Sequence, residues 1–154
     1  MKNLDDLIKH DSHDILSAID AQPAQLRLSF ADGMTQDVTS NWGAGLKNVV
    51  LAGMGGSALA ADVIRNWLGA RLLVPFEIVR GYSLPGYVGP ETLVVISSYS
   101  GNTEETLAAL QDAKKRSARI VIMTAGGTLL DQARDTNSML LELPEVSQPR
   151  LSVF

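Results

Sequence analysis

The chain has 154 residues, 45% of them hydrophobic, and 13 basic against 17 acidic side chains give a formal net charge of −4. That length and apolar content fit one domain with a real core and exclude a disordered chain. The acidic balance offers no basic stripe for a nucleic-acid backbone, and the lack of cysteine excludes disulfides and thiolate metal sites. No apolar run reaches membrane-spanning length, and the opening MKNLDDLIKHD is too acidic and broken for a signal peptide. A cytoplasmic location, with neither nucleic-acid nor membrane partners, is therefore expected.

In chain order, residues 1–45 read as an N-terminal helical segment that packs on the domain formed by 46–154. The spacing of Leu4, Leu7, Ile8, Ile15, Leu16 and Ile19 predicts an amphipathic helix over 4–19. His10 and His13 stand three apart beside Asp11 and Asp14, a pattern more often a solvated helix face than a metal site, so no metal is expected. Pro23 predicts the start of a second short helix through Leu26, Leu28 and Phe30. Residues 34–45 read as a loop with Trp42 as its anchor.

The pattern changes at Lys47. Asn48, Val49, Val50, Leu51 and Ala52 read as a buried strand, broken by Gly53-Met54-Gly55-Gly56-Ser57, and a helix from Ala58 to Leu68 ends at Gly69. Leu72 to Val79 gives a second strand, and Pro85-Gly86 and Gly89-Pro90 give turns. Leu93 to Ile96 is a third strand, too short and too β-branched for a helix. Ser97 to Thr103 then makes a loop of hydroxyls around Gly101. The helix that follows, to about Arg116, carries Glu104 and Glu105 in its first turn, with Asn102 or Thr103 as its cap and Asn102/Glu105 at capping-box spacing. Arg119 to Thr124 and Ser138 to Leu143 are the fourth and fifth strands, with a short helix between them ending at Arg134.

Buried strands alternating with helices imply an α/β fold, a three-layer αβα sandwich on a five-stranded parallel sheet, doubly wound in the flavodoxin-like or Rossmann-like manner. Ligands of such sheets bind outside the carboxyl ends of the strands. Three of those ends carry small polar loops: Gly53 to Ser57, Ser98 to Thr103, and Thr124 to Thr128. A hydroxyl-rich turn leading into a helix N-terminus suits a phosphate.

Gly53-Met54-Gly55-Gly56-Ser57-Ala58 also fits the G-x-G-x-x-A dinucleotide fingerprint. That alternative, an NADP-binding domain, has no acidic residue at the end of the second strand and would rely on Arg80 for a 2′-phosphate. It also leaves the SYSGNT loop without a purpose.

GMGGSA after the first strand, SYSGNTEE after the third, and Gln148-Pro149-Arg150 together resemble the sugar isomerase (SIS) domain, and more narrowly the N-terminal half of the bifunctional phosphoglucose/phosphomannose isomerases. The resemblance implies a flavodoxin-like sheet and metal-free, cofactor-free aldose–ketose isomerisation between glucose 6-phosphate or mannose 6-phosphate and fructose 6-phosphate through a cis-enediol. It implies that Ser98, Ser100 and Thr103 hold the sugar phosphate and that Gly55, Gly56 and Ser57 lie along the sugar. Arg150 would be the catalytic arginine stabilising the enediolate. A homodimer is implied as well. The glutamate that moves the proton and the histidine that assists ring opening lie, in that family, beyond the arginine. The chain stops at Phe154, so the second SIS half is absent and a fragment is expected, which could bind a phosphosugar without turning it over. A non-catalytic phosphosugar-sensing module is the alternative within the same fold.

Overall fold

A computed structural model describes residues 8–25, 43–134 and 138–146. Its elements, in chain order, are α1 (Ile15–Asp20), α2 (Gln22–Gln25), β1 (Asn48–Gly53), α3 (Gly56–Leu68), β2 (Phe76–Val79), β3 (Thr92–Ser97), α4 (Glu104–Lys115), β4 (Arg119–Thr124), α5 (Gly127–Arg134) and β5 (Met139–Glu142), with a 3₁₀ turn at Gly69–Arg71. The five strands form one parallel sheet in the order β2-β1-β3-β4-β5. This is the flavodoxin-like order, not the 3-2-1-4-5 order of dinucleotide-binding folds. The three-layer expectation holds, and the Rossmann-like variant of it does not.

The register explains the layering. Val50 pairs with Val94 and Val94 with Ile120, so these residues share one face of the pleat. Together with Ala52, Ile96, Ile122 and Leu140 they meet Ala109, Leu110 and Ala113 of α4 and Leu129 and Ala133 of α5. Ile96, Leu110, Ile122 and Leu129 are fully buried there, each contributing about 2–3 kcal/mol of hydrophobic transfer. The alternate residues Leu51 and Val95 face the other way, onto Ala58 and Ala61 of α3. The chain therefore winds from β1 through α3 to one edge, and from β3 through α4 and α5 to the other. Right-handed crossovers in opposite directions put those helices on opposite faces.

No described helix joins β2 to β3. The connecting loop plugs the core with Leu84 and Val88, each 5% exposed. Asp112 of α4 accepts the Leu84 N–H at 3.0 Å, and Arg116 donates to the carbonyls of Pro85 at 3.0 Å and Leu84 at 3.4 Å. Arg116 and Asp112 are themselves joined by two hydrogen bonds of 2.8 and 3.0 Å.

Several boundaries differ from expectation for local reasons. The predicted helix over 4–19 is interrupted within the described residues: Ile8 is helical, residues 9–14 are not, and α1 begins at Ile15, where the Asp11 carboxylate accepts the N–H groups of Ile15 and Leu16, both at 2.8 Å. A side chain that binds the backbone locally competes with the helical ladder. These bonds hold the Asp11 carboxyl below the usual carboxylate range. The second strand begins at Phe76, not Leu72, because Pro75 has no N–H for the ladder and sits where an edge strand starts. Helix α3 begins at Gly56, two residues earlier than expected, which puts Gly56 and Ser57 in its first turn. The predicted helix through Leu26, Leu28 and Phe30 and the anchor Trp42 lie outside the described residues.

Candidate active site

The sheet reverses its winding direction between β1 and β3, whose carboxyl ends pair at Gly53 and Ser97. Splayed connections at such a point leave a crevice, and both loops named from sequence arise there. A Cβ built on Gly53 would lie 3.0 Å from the Ser97 carbonyl oxygen, so a larger residue would require the two strand ends to part by a few tenths of an ångström. Ser57 fastens the loops to each other. Its hydroxyl accepts the Tyr99 N–H at 3.2 Å, and its carbonyl accepts the Ser97 hydroxyl at 3.0 Å.

The loop after β3 is built by three different devices. Ser98 is 2% exposed, and its Oγ lies 2.9 Å from Oγ1 of Thr103. Thr103 is the N-cap residue of α4, with φ −69° and ψ 122°, yet its side chain makes no capping bond. Among the described residues, the first-turn amides of α4 therefore lack a side-chain partner at the positive end of the helix. Ser100 is exposed beside them, its Oγ 3.4 Å from the Asn102 N–H. The third device is the fit against the neighbouring loop. Gly101 has φ +68°, and a Cβ there would fall 1.7 Å from the Gly126 carbonyl oxygen. One on Gly127, also at φ +68°, would fall 2.3 Å from the Ser100 carbonyl oxygen.

One expectation is corrected here. Asn102 does not cap α4. Its Oδ1 accepts the N–H of Thr128 at 3.0 Å and the hydroxyl of Thr128 at 2.9 Å, so it caps α5 across the loop. In the Thr124–Thr128 loop the N-terminus of α5 is therefore occupied by a neighbouring side chain, and Thr124 Oγ1 donates to the Gly126 carbonyl at 2.8 Å.

Acidic side chains lie beside the α4 terminus. Tyr82 donates to Glu104 Oε2 at 3.5 Å, and the charge of Glu105, then burial, then Glu104 push the Tyr82 phenol up. Arg80, the cation a dinucleotide site would need, is paired with Asp62 of α3. Among the described residues no group of three or more His, Asp or Glu side chains gathers to hold a metal, and His13 pairs with Ser12 at 3.0 Å. No described helix is long and apolar enough to cross a membrane. Arg150 lies outside the described residues.

A cleft of about 570 Å³ opens next to Ser100, lined by Tyr99, Ser100, Ala125, Gly126, Glu145 and Val146. It lies toward β4 and β5, and Glu145 and Val146 were not singled out from sequence. Nor was Tyr99, although one large aromatic in a loop of small residues, with no capping role, was a usable signal. Gly55 and Gly56 are exposed on the β1 side, with open space around the Gly55 Cα.

The SIS domain family matches residues 44–154. The bifunctional phosphoglucose/phosphomannose isomerase of Caldicellulosiruptor bescii is 42% identical over 108 residues, which is 70% of this chain and 32% of that one. The protein of the same description from Aquifex aeolicus is 37% identical over 108 residues, 70% of this chain and 34% of its own. This chain thus spans about a third of the length of the curated relatives it matches. Among solved structures, the tagatose-6-phosphate ketose/aldose isomerase of Escherichia coli shares the fold, with a TM-score of 0.63 at 23% identity over 83% of this chain and 39% of that one.

Proposed function

The chain belongs to the SIS-domain family, and on that premise we propose that it binds a phosphorylated hexose at the carboxyl end of β3 as part of an aldose–ketose isomerase. The carrying observation is Thr103: a helix N-cap whose hydroxyl is turned to Ser98 and not to its own helix, leaving the α4 amides open beside the exposed Ser100 hydroxyl. Those amides and the hydroxyls of Ser100 and Thr103 would donate hydrogen bonds to the phosphate oxygens, whose charge the helix dipole favours. Ser98, being buried, would act by orienting Thr103 and through its backbone. Gly55, Gly56 and Ser57 would flank the sugar from the β1 side.

In this proposal the whole enzyme interconverts glucose 6-phosphate or mannose 6-phosphate with fructose 6-phosphate by moving a proton between C1 and C2. Arg150 would supply a fixed positive charge to the enediolate as it forms. The names of the two relatives support this substrate class. The NADP alternative gains no support from the strand order or from the paired state of Arg80. Cytoplasmic location and a homodimer belong to the same proposal. The second copy is supported by an exposed apolar stripe on α3 formed by Leu59, Val63 and Trp67, spaced to lie on one helix face.

The test is calorimetric titration of the chain with fructose 6-phosphate and, separately, with NADP. Saturable binding of the sugar phosphate alone is expected, weakened about tenfold in Ser100→Ala, the loss of one charge-assisted hydrogen bond. Binding of NADP alone, or an unchanged affinity in Ser100→Ala, would overturn the site.

A further inference from the structure

Beyond β5 the chain leaves the sheet. Leu143 donates its N–H to the Thr124 carbonyl at 2.8 Å, and then Pro144, lacking an N–H, ends the ladder. The next residues form the far wall of the cleft beside Ser100. Among the described residues, the hydrogen bonds that hold this wall all end on one atom, the Tyr99 hydroxyl. It accepts the Val146 N–H at 2.6 Å and lies 3.2 Å from the Pro144 carbonyl oxygen and 3.4 Å from that of Val146. A phenol has one proton to donate and lone pairs to accept with, so a single side chain satisfies the wall's donor and one of its acceptors at a time.

Tyr99 is also fixed at its other end. Its N–H donates to Ser57 Oγ at 3.2 Å, and its carbonyl accepts the Ala125 N–H at 3.1 Å. Its backbone is thus part of the loop between Ser98 and Ser100, while its hydroxyl sets how far Glu145 and Val146 stand from that loop. A cleft of this size suits a small ligand. One anchored by a phosphate at Ser100 and flanked by Gly55, Gly56 and Ser57 on the β1 side would present hydroxyls of its opposite flank toward this wall, where the exposed Glu145 carboxylate and backbone groups can receive them.

We infer that Tyr99 is a positioning residue that sets sugar recognition separately from phosphate recognition, by latching the Pro144–Val146 wall to the phosphate loop. The inference rests on the phosphosugar reading above. A tyrosine kept only for packing would be replaced by phenylalanine at no cost to the ligand; a latch would not.

The experiment compares the wild-type chain with Tyr99→Phe in titrations with inorganic phosphate and with fructose 6-phosphate, alongside amide hydrogen exchange at Val146. Tyr99→Phe is expected to leave phosphate affinity within about twofold, to weaken fructose 6-phosphate about tenfold, and to speed Val146 exchange about tenfold, as for one lost hydrogen bond. Val146→Pro deletes the donor from the other side and should reproduce the same split, which covers the case in which Tyr99→Phe does not fold. Parallel weakening of both ligands would reduce Tyr99 to general loop support, and unchanged sugar-phosphate affinity would remove the latch; either overturns the inference alone. Failure of the wild-type chain to bind phosphate or sugar phosphate would overturn the phosphosugar reading, and this inference with it.

Discussion

The side-chain oxygen of Asn102 receives both the backbone N–H and the hydroxyl of Thr128, at 3.0 and 2.9 Å, so the loop after β3 caps the helix that follows β4. Secondary structure and site are joined by this bond. It stabilises α5 and at the same time fixes the loop that carries Ser98, Ser100 and Thr103.

Asn102→Ala should therefore lower the unfolding free energy by about 1 kcal/mol, the usual value of a helix cap. Asn102→Asp keeps the acceptor and adds a negative charge at a helix N-terminus, so it should remain within about 0.5 kcal/mol of wild type. Urea denaturation of the three proteins checks this. Equal losses in Ala and Asp would mean that the cap is not what Asn102 contributes.

Two glycines of the site should respond very differently to alanine. Gly101 combines φ +68° with a Cβ position 1.7 Å from the Gly126 carbonyl oxygen, so Gly101→Ala must displace backbone. A loss of about 3 kcal/mol or more is expected, or failure to fold. Gly55 has φ +52° but no atom within 4 Å of its Cβ position. Gly55→Ala should meet only the conformational strain, about 1–3 kcal/mol. Thermal unfolding of the pair measures the difference, and comparable stabilities would contradict the close approach of the two loops.

The clamp on the β2–β3 loop should give the protein a specific acid sensitivity. The Arg116 hydrogen bonds, opposed by burial and aided by the Leu84 N–H, hold the Asp112 carboxyl below the usual carboxylate range. A lowered native value means stability that is present above the unfolded value of about 4 and is lost as pH falls through the native value. Wild type should therefore lose stability between pH 4 and lower pH, while Asp112→Asn should be less stable at neutral pH and flatter along this acid limb, as measured by denaturant midpoint at each pH. Parallel curves would remove Asp112 from the account.

The amino-acid sequence by itself determined the strands and their class. Runs such as Val49–Ala52, Leu93–Ile96 and Ile120–Ile122 are apolar on both pleat faces, and only a parallel sheet covered on each side buries them. It also marked the loops at the strand ends, because glycine and hydroxyl residues between a buried strand and an acidic helix start are local chemistry. The family resemblance named from GMGGSA, SYSGNTEE and Gln148-Pro149-Arg150 matches the family found by comparison.

What only the tertiary structure decided is which groups remain open to a ligand. Asn102 and Thr103 are both ordinary caps for α4 on sequence grounds, yet the packing of the Gly126 loop against Gly101 brings Asn102 to α5 and leaves Thr103 facing Ser98. Likewise Tyr99 and Val146 are far apart in the chain, and nothing local in either announces their bond. Local propensity acts within a few residues. The choice among competing hydrogen-bond partners is made by the sheet, which sets β3, β4 and β5 side by side and brings the ends of three separate segments within reach of one another.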